Sequence, residues 1–286
     1  MTEPTGRKKV TIPQLLEMKR SGQKISMITA YDYPTGVIVD QAGIDIVLVG
    51  DSLGMTMLGY DTTVPVTMDE MVHHAKAVTR GCKNPFVLGD MPFMAYQASK
   101  EEAIRNAGRF MKEANCDGIK LEGGIYIADT VRAIVRAGVP TMGHLGLTPQ
   151  TISALGGFKV QGKDVEAAQR LVEDVTALEE AGVFAVLLEA VPAKVARLIA
   201  ERASVPIISI GAGAGCDGQV LIFHDMFGLF PKFMPKFAKR YAEVGEIMRN
   251  GVRQYIEEVR SGTFPEAKHS FTIPEEQYQQ LLKRLS

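Results

Sequence analysis

Short apolar runs that end in an acidic residue recur along the chain and dominate its hydrophobic pattern. Ile46–Val49 is followed by a glycine and then Asp51. Three later runs end in Asp90, Glu122 and Glu189 in the same way. An apolar run bounded by turn residues predicts a β-strand that is buried on both faces. We therefore expect four carboxylates at the carboxyl ends of four strands, which is where parallel α/β barrels place their chemistry.

Helical patterns separate the apolar runs, so that strands and helices alternate along the chain. The predicted strands are 24–32, 43–52, 85–90, 117–122, 139–147, 184–189, 205–210 and 220–223. The predicted helices are 11–21, a stretch that ends at 41, 67–80, one that begins at 99, 127–137, 163–181, 193–203, 234–260 and 275–282. Eight strands that alternate with helices, without a break in composition, favour an α/β fold of the (β/α)₈ barrel type.

The whole chain, 1–286, is predicted to form a single barrel domain. A tail and a short helix (1–23) precede the barrel strands and helices (24–232), and C-terminal helices and a polar tail (233–286) follow them. A doubly wound open sheet is the competing architecture. It is disfavoured because no Gly-x-Gly-x-x-Gly opens a helix after the first strand, and because the acidic strand ends are scattered rather than gathered at one switch point.

Capping signals mark where several of the helices begin. Thr67 and Ser99 each stand three residues before a glutamate, which is the spacing of a capping box, and Thr11 stands three residues before Gln14. The loop 148–162 is long for a plain connection between a strand and a helix, and we interpret it as a candidate lid over a site.

Composition and charge narrow the classes of partner. The 286 residues are 46% apolar, enough for the core of one large α/β domain. The 32 basic and 33 acidic residues leave a formal net charge of -1, which argues against a nucleic acid or a membrane surface as the main partner and favours a small molecule. Three cysteines without metal-type spacing favour a reducing compartment. With no signal-like or membrane-length apolar run, we expect a soluble, cytoplasmic protein.

The acidic strand ends have the chemistry of a metal-assisted enzyme. Asp51 and Asp90 are hard oxygen ligands on two strand ends, and such a pair suits Mg²⁺. Lys120 and Glu122 are two residues apart on one strand, so both point to the same side, where the lysine neutralises a substrate carboxylate and Glu122 extends the metal site. Glu189 lies on another strand, and a carboxylate beside an apolar wall is suited to act as general base.

For other residues near strand ends, the sequence leaves two alternative roles open. Ser52 either contacts substrate or belongs to the turn, and Ser209 has the same alternatives. His144 is either a core histidine or a side chain that supports the site residues without contacting the ligand. The glycine-rich turn 211–215 either cradles a phosphate or is a tight turn.

Six strings taken together resemble the ketopantoate hydroxymethyltransferase family. They are Thr-Ala-Tyr-Asp at 29–32, Val-Gly-Asp-Ser-Leu-Gly at 49–54, Gly-Asp-Met-Pro-Phe at 89–93, Lys-Leu-Glu-Gly-Gly at 120–124, Gly-His-Leu-Gly-Leu-Thr-Pro-Gln at 143–150 and Ile-Gly-Ala-Gly at 210–213. The resemblance runs in order from about 11 to 266. It implies transfer of a hydroxymethyl group from 5,10-methylenetetrahydrofolate to 3-methyl-2-oxobutanoate through a Mg²⁺-stabilised enolate, which gives 2-dehydropantoate for pantothenate synthesis.

The resemblance also implies residue roles and an assembly. Asp51, Asp90 and Glu122 would bind one Mg²⁺ per subunit, Asp51, Ser52, Asp90 and Lys120 would bind the oxoacid, and Glu189 would be the base. A homodecamer of two stacked pentamers is implied, together with a folate co-substrate.

Two alternative functions remain at this point. One is another metal-dependent 2-oxoacid enzyme of the phosphoenolpyruvate mutase and isocitrate lyase type, although no cysteine here lies in a lyase motif with flanking Gly and His. The other is a barrel that has lost catalysis and serves as a binding or assembly protein. Charged residues such as Lys120, Glu122 and Glu189 that point into a barrel mouth argue against it.

Overall fold

The computed structural model describes residues 7–157, 159–232 and 234–286, in which eight parallel strands form a closed barrel. The strands are β1 Ile25–Thr29, β2 Ile46–Val49, β3 Phe86–Asp90, β4 Gly118–Glu122, β5 Thr141–Gly146, β6 Ala185–Glu189, β7 Ile207–Ile210 and β8 Gly218–Leu221. Each strand pairs with the next in the chain, and β8 pairs with β1. The predicted (β/α)₈ barrel is confirmed and the open sheet is excluded.

Helices alternate with the strands along the chain. They are α1 Ile12–Ser21, α2 Tyr33–Gln41, α3 Leu53–Thr56, α4 Met68–Gly81, α5 Lys100–Lys112, α6 Ala128–Arg136, α7 Ile152–Leu155, α8 Val165–Ala181, α9 Ala193–Arg202, α10 Phe223–Met226, α11 Val244–Ser261 and α12 Glu275–Leu285. Three 3₁₀ turns, Ile125–Ile127, Pro149–Thr151 and Ala267–His269, lie between them. No helix in the described ranges has the length and apolar character needed to cross a membrane.

The barrel strands bury both faces, and the two faces belong to two apolar clusters. Side chains that point inward, such as Met27, Leu48 and Leu88, fill the barrel together with Leu15 and Met18 of α1. Side chains that point outward pack against the surrounding helices in a second, larger cluster. Because both faces are apolar, the strands read as continuous apolar runs rather than as an alternating pattern.

Several predicted boundaries need correction. β1 ends at Thr29 rather than at Asp32, because Asp32 caps α2 and accepts a 2.7 Å hydrogen bond from the Thr35 N–H. β8 is 218–221 rather than 220–223, since Gly218 pairs with both neighbouring strands and Phe223 already belongs to α10.

At Thr67 the predicted capping box is complete. Ser99 accepts a hydrogen bond from the Glu102 N–H, as predicted. The Thr11 side chain makes no capping hydrogen bond, although Thr11 occupies the N-cap of α1. Pro13, near the start of that helix, has no N–H to donate.

The helix predicted for 234–260 begins only at Val244. Among the residues before it, Pro235 and Phe237 line the cavity at the barrel mouth instead, and the Tyr241 N–H donates to the Met226 carbonyl rather than to a helical partner. The first six residues of the predicted N-terminal tail lie outside the described residues. The assignment of the whole chain to one domain stays a prediction.

Candidate active site

A cavity of about 680 Å³ opens at the carboxyl ends of the barrel strands. Its floor contains the side chains predicted from the strand ends, namely Asp51, Ser52, Asp90, Lys120, Glu122, His144 and Glu189. Its outer wall is formed by residues of the later loops, among them Val160, Phe230, Pro235 and Phe237. The structure therefore gathers residues from five different strands at one end of the barrel, as the sequence pattern predicted.

Asp51 and Asp90 lie side by side at the ends of β2 and β3. The Asp51 N–H donates a 3.0 Å hydrogen bond to Asp90 Oδ2, and both carboxylates are buried. Burial raises the pKa of Asp51 well above its ordinary value, and the charges of Asp90 and Glu122 raise it further. Burial likewise raises the pKa of Asp90, against the opposing effect of Lys120. Negative charge at this position needs a cation.

Strand register places Lys120 beside Asp90. The two residues are opposite each other across β3 and β4, and Lys120 Nζ lies 2.7 Å from Asp90 Oδ1 and 3.9 Å from Glu122 Oε1. Burial opposes the charged form of Lys120, but the carboxylates of Asp90, Glu122 and Asp51 outweigh burial and raise its pKa. The lysine is therefore a buried ammonium that is compensated by carboxylates, as its place within an apolar run predicted.

His144 bridges two of the predicted carboxylates. It lies opposite Glu122 across β4 and β5, with Nδ1 3.2 Å from Glu122 Oε1 and Nε2 3.3 Å from Glu189 Oε2. Burial and the Lys120 ammonium lower the pKa of His144, but the carboxylates of Glu122 and Glu189 more than offset them and raise it to about 9. His144 therefore lies on the cavity floor against both carboxylates, and the role that the sequence left open for it stays a prediction.

The two serines differ in position. Ser52 lines the cavity, and its Oγ lies 2.8 Å from the Tyr31 hydroxyl. Ser209 is fully buried, and its Oγ accepts a 3.0 Å hydrogen bond from the Ala212 N–H. Ser209 therefore stabilises the turn after β7, and it does not line the cavity with the other predicted residues.

Gln150 and Tyr96, which hydrogen-bond to the acidic residues of the floor, were not predicted. Gln150 lies in the 3₁₀ turn after β5, and its amide donates a 2.9 Å hydrogen bond to Asp51 Oδ2. Tyr96 lies in the loop after β3, and its hydroxyl accepts a hydrogen bond from the Glu122 N–H. Neither residue ends an apolar run. The signal that marks Gln150 is its place in the Gly-His-Leu-Gly-Leu-Thr-Pro-Gln string, which gave a family but no role for the glutamine.

The acidic residues fit a divalent cation that takes two protein ligands. Asp51 and Asp90 are adjacent, and a positive charge between them would relieve the repulsion that raises the pKa of Asp51. Asp90 Oδ1 and Glu122 Oε1 are buried oxygens without a well-aligned hydrogen bond. Within the described ranges, no three or more His, Cys, Asp and Glu side chains form a ready-made metal centre. The set therefore suits Mg²⁺, which retains water and takes substrate oxygens as its other ligands.

The fold and the cavity floor define the class of protein, which is a (β/α)₈ barrel enzyme with acid–base groups and an acidic pair at the strand ends. The family model described as ketopantoate hydroxymethyltransferase matches residues 9–267. The chain belongs to the ketopantoate hydroxymethyltransferase family, and the family predicted from the six sequence strings is confirmed.

Curated relatives match over nearly their whole length. The 3-methyl-2-oxobutanoate hydroxymethyltransferase of Carboxydothermus hydrogenoformans is 56% identical over 268 residues, which cover 94% of this chain and 97% of the relative. The protein of the same name from Desulfotalea psychrophila is 58% identical over 262 residues, 92% of this chain and 94% of the relative.

Solved structures of other proteins share the fold. A phosphonopyruvate hydrolase superposes with a TM-score of 0.60 at 14% sequence identity, over 96% of each chain. A phosphoenolpyruvate phosphomutase from Streptomyces platensis subsp. rosaceus superposes with a TM-score of 0.58 at 14% identity, over 96% of this chain and 98% of the other. Likeness at this level of identity shows the fold alone, so the alternative of a mutase or lyase gains no support from it.

Proposed function

We propose how the cavity floor carries out the reaction of the family. The chain transfers a hydroxymethyl group to 3-methyl-2-oxobutanoate in pantothenate biosynthesis, the activity for which its near full-length relatives are named. The observation that carries the site assignment is the convergence of the acidic pair, Lys120 and Glu189 in one cavity at the strand ends. Burying such a set of charges costs free energy, and a barrel without catalytic function would gain nothing that offsets this cost.

Glu189 is proposed to remove the proton from C3 of the oxoacid. Its carboxylate lines the cavity, and one of its oxygens lies 3.3 Å from His144 Nε2. We propose that the His144 ring holds this oxygen and leaves the other carboxylate oxygen available to the substrate. After the C3–H bond breaks, the proton is on Glu189 and the electron pair is in the enolate of the oxoacid, which attacks the one-carbon unit.

Lys120 and Ser52 are proposed to bind the oxoacid, and Asp51 and Asp90 to bind Mg²⁺ with Glu122 next to them. The ammonium of Lys120 and the Ser52 hydroxyl both line the cavity floor and suit the carboxylate of the substrate. When bound, a divalent cation supplies Lewis-acid stabilisation of the negative charge that develops on the 2-oxo oxygen.

The outer half of the cavity is proposed to receive the folate. A cavity of about 680 Å³ is far larger than a five-carbon oxoacid requires. Its outer wall offers Phe230 and Phe237 for a flat ring system. Lys159, Lys232 and Lys236 also line it, and their ammonium groups suit the glutamate carboxylates of 5,10-methylenetetrahydrofolate. Methylene transfer with one water molecule then gives 2-dehydropantoate and tetrahydrofolate.

We propose a homo-oligomer, and specifically the decamer that the family resemblance implies; helices α11 and α12 support an interface between copies of the chain. No described residue of α11 or α12 is buried in this chain. Met248, Val252, Tyr255 and Val259 form an apolar stripe along α11, each about half exposed. Exposed apolar surface of this kind marks a protein interface, and a second copy of the chain would cover it.

Product analysis tests the reaction. Purified protein, 3-methyl-2-oxobutanoate, 5,10-methylenetetrahydrofolate and Mg²⁺ are expected to give 2-dehydropantoate by mass spectrometry, and omission of the folate is expected to abolish it. Phosphonopyruvate and 2-methylisocitrate, incubated without folate, serve as the comparison substrates. Rearrangement or cleavage of either one, with no folate-dependent product, would support the mutase and lyase alternative instead.

A further inference from the structure

Gln150 joins the carboxylates of two different strand ends. It is 3% exposed, and its Nε2 donates to Asp51 Oδ2 at 2.9 Å. Its backbone N–H donates to Glu122 Oε2 at 3.1 Å. One residue of the turn after β5 therefore contacts the carboxylate that follows β2 and the carboxylate that ends β4.

The chemistry of its neighbours fixes the orientation of the Gln150 amide. Nε2 faces Asp51 Oδ2 and the Met91 carbonyl oxygen, which lies 2.9 Å away, and both of these atoms accept hydrogen bonds. Oε1 accepts a 2.7 Å hydrogen bond from the Tyr96 hydroxyl. Both amide hydrogens and the carbonyl oxygen therefore have partners, and a flipped amide would place its oxygen against two acceptors and lose both Nε2 bonds.

Tyr96 extends this arrangement to the backbone of β4. Its hydroxyl oxygen accepts a 3.0 Å hydrogen bond from the Glu122 N–H while its hydrogen is donated to Gln150 Oε1. Glu122 is thus fixed at its carboxylate by the Gln150 backbone and at its own backbone by Tyr96. The Gln150 and Tyr96 side chains thus form a buried hydrogen-bonded pair that contacts both Asp51 and Glu122, and such a network is rigid.

We propose that Gln150 is a positioning residue that orients the carboxylates of Asp51 and Glu122 for a divalent cation. The proposal rests on the proposed function, since it needs these carboxylates to form the metal site. Like charges at short range repel, and flexible carboxylates would turn away from each other. Hydrogen bonds from outside the ligand set are the usual means by which proteins orient metal ligands.

Metal affinity of the free protein tests this role without using turnover. Mn²⁺ is titrated into the substrate-free protein, and bound metal is measured by electron paramagnetic resonance for wild type, Gln150→Leu and Tyr96→Phe. The Gln150→Leu variant is expected to bind Mn²⁺ about 10–100-fold more weakly than wild type. The Tyr96→Phe variant keeps the Gln150 amide, so its loss of affinity is expected to be smaller. Circular dichroism and thermal melting verify that each variant is folded.

Asn106→Leu is the matched control. The Asn106 amide donates a 2.7 Å hydrogen bond to the carbonyl oxygen of Ala95, the neighbour of Tyr96. Its loss removes a partly buried amide hydrogen bond beside the network without removing a contact to Asp51 or Glu122, so Mn²⁺ affinity is expected to remain that of wild type.

Two outcomes overturn the proposal in different ways. If wild type binds Mn²⁺ and both folded variants bind it within roughly twofold of wild type, the role of Gln150 is wrong and the metal site stands. If wild type binds no Mn²⁺, the metal site of the proposed function is wrong, and the role of Gln150 falls with it.

Discussion

Lys120 shows how one residue keeps an acidic site compatible with a folded barrel. It is 2% exposed, and it lies within 2.7 Å of Asp90 and 3.9 Å of Glu122. An ammonium group in that position is costly to bury, and so are the carboxylates around it, but together they compensate each other. Removal of the lysine would leave three buried carboxylates without their central cation.

We predict that Lys120→Met lowers the free energy of unfolding by about 3–5 kcal/mol, because one partner of a buried ionic cluster is lost. Urea unfolding at neutral pH, in the absence of metal, measures the loss. Lys76→Met is the control, since Lys76 pairs with Glu113 on the surface and both side chains are about 40% exposed. A loss no larger than that of the control would show that Lys120 does not stabilise the site.

The sequence pattern predicts the position of a side chain at the barrel mouth wherever that residue ends an apolar strand. Asp51, Asp90 and Glu189 were predicted as site residues because the strand pattern itself positions them, and Lys120 because its charge interrupts an apolar run. Gln150 and Tyr96 could not be found in this way, since their places depend on how two loops return over the mouth. No local spacing encodes that path.

Among the helices and strands, two glycines let helices pack closely on the strands that carry Asp90 and His144. Gly89 precedes Asp90 on β3, and a Cβ at Gly89 would lie 2.2 Å from Phe110 Cδ1 of α5. Gly143 precedes His144 on β5, and a Cβ there would lie 2.6 Å from Leu178 Cδ1 of α8. The residue after each glycine points into the barrel, so a helix that packs on the glycine fixes the strand that carries the polar side chain.

We predict that Gly89→Ala lowers the free energy of unfolding by about 1–3 kcal/mol, because the new methyl group overpacks β3 against Phe110. Because β3 would shift, kcat is also expected to fall. Gly108→Ala on α5 is the matched control. It meets no atom within 4 Å, and it is expected to stabilise the protein by about 0.4–1 kcal/mol.

Chemical unfolding of both variants and steady-state kinetics measure these effects. Equal changes of the same sign in the free energy of unfolding for Gly89→Ala and Gly108→Ala would contradict this explanation of Gly89. They would show that close packing of β3 against Phe110 does not require a glycine there.

The elements themselves were predictable to different degrees. Strands buried on both faces give strong apolar runs, and all eight were found. The segment 234–243 was wrongly predicted as helix because its apolar residues and lysines have helical spacing. Phe237 instead packs on the turn after β7, where a Cβ at Gly211 would lie 2.7 Å from the ring. This contact with a distant part of the chain decides the conformation, and periodicity does not reveal it.

For the whole molecule, the apolar stripe on α11 predicts an assembly. We predict that wild type sediments as a particle close to ten times the 31.2 kDa subunit, and that the double substitution Met248→Asp with Val252→Asp yields smaller species. Charged groups on the stripe would be buried without partners in the interface. Analytical ultracentrifugation measures both masses.

Asn250→Asp introduces one negative charge on the opposite side of α11 and is expected to leave the assembly unchanged. A monomeric wild type would contradict the decamer. Equal masses for wild type and the double variant would show instead that the stripe lies outside the interface.

We propose that this cavity forms the enolate of a 2-oxoacid and that Glu189 is the base. The most direct test follows solvent deuterium into C3 of 3-methyl-2-oxobutanoate by nuclear magnetic resonance, without folate, in wild type and Glu189→Gln, each with and without Mg²⁺. We predict exchange in wild type that depends on Mg²⁺ and is lost in Glu189→Gln. Exchange that persists at the wild-type rate in the folded variant would contradict the assignment of the base.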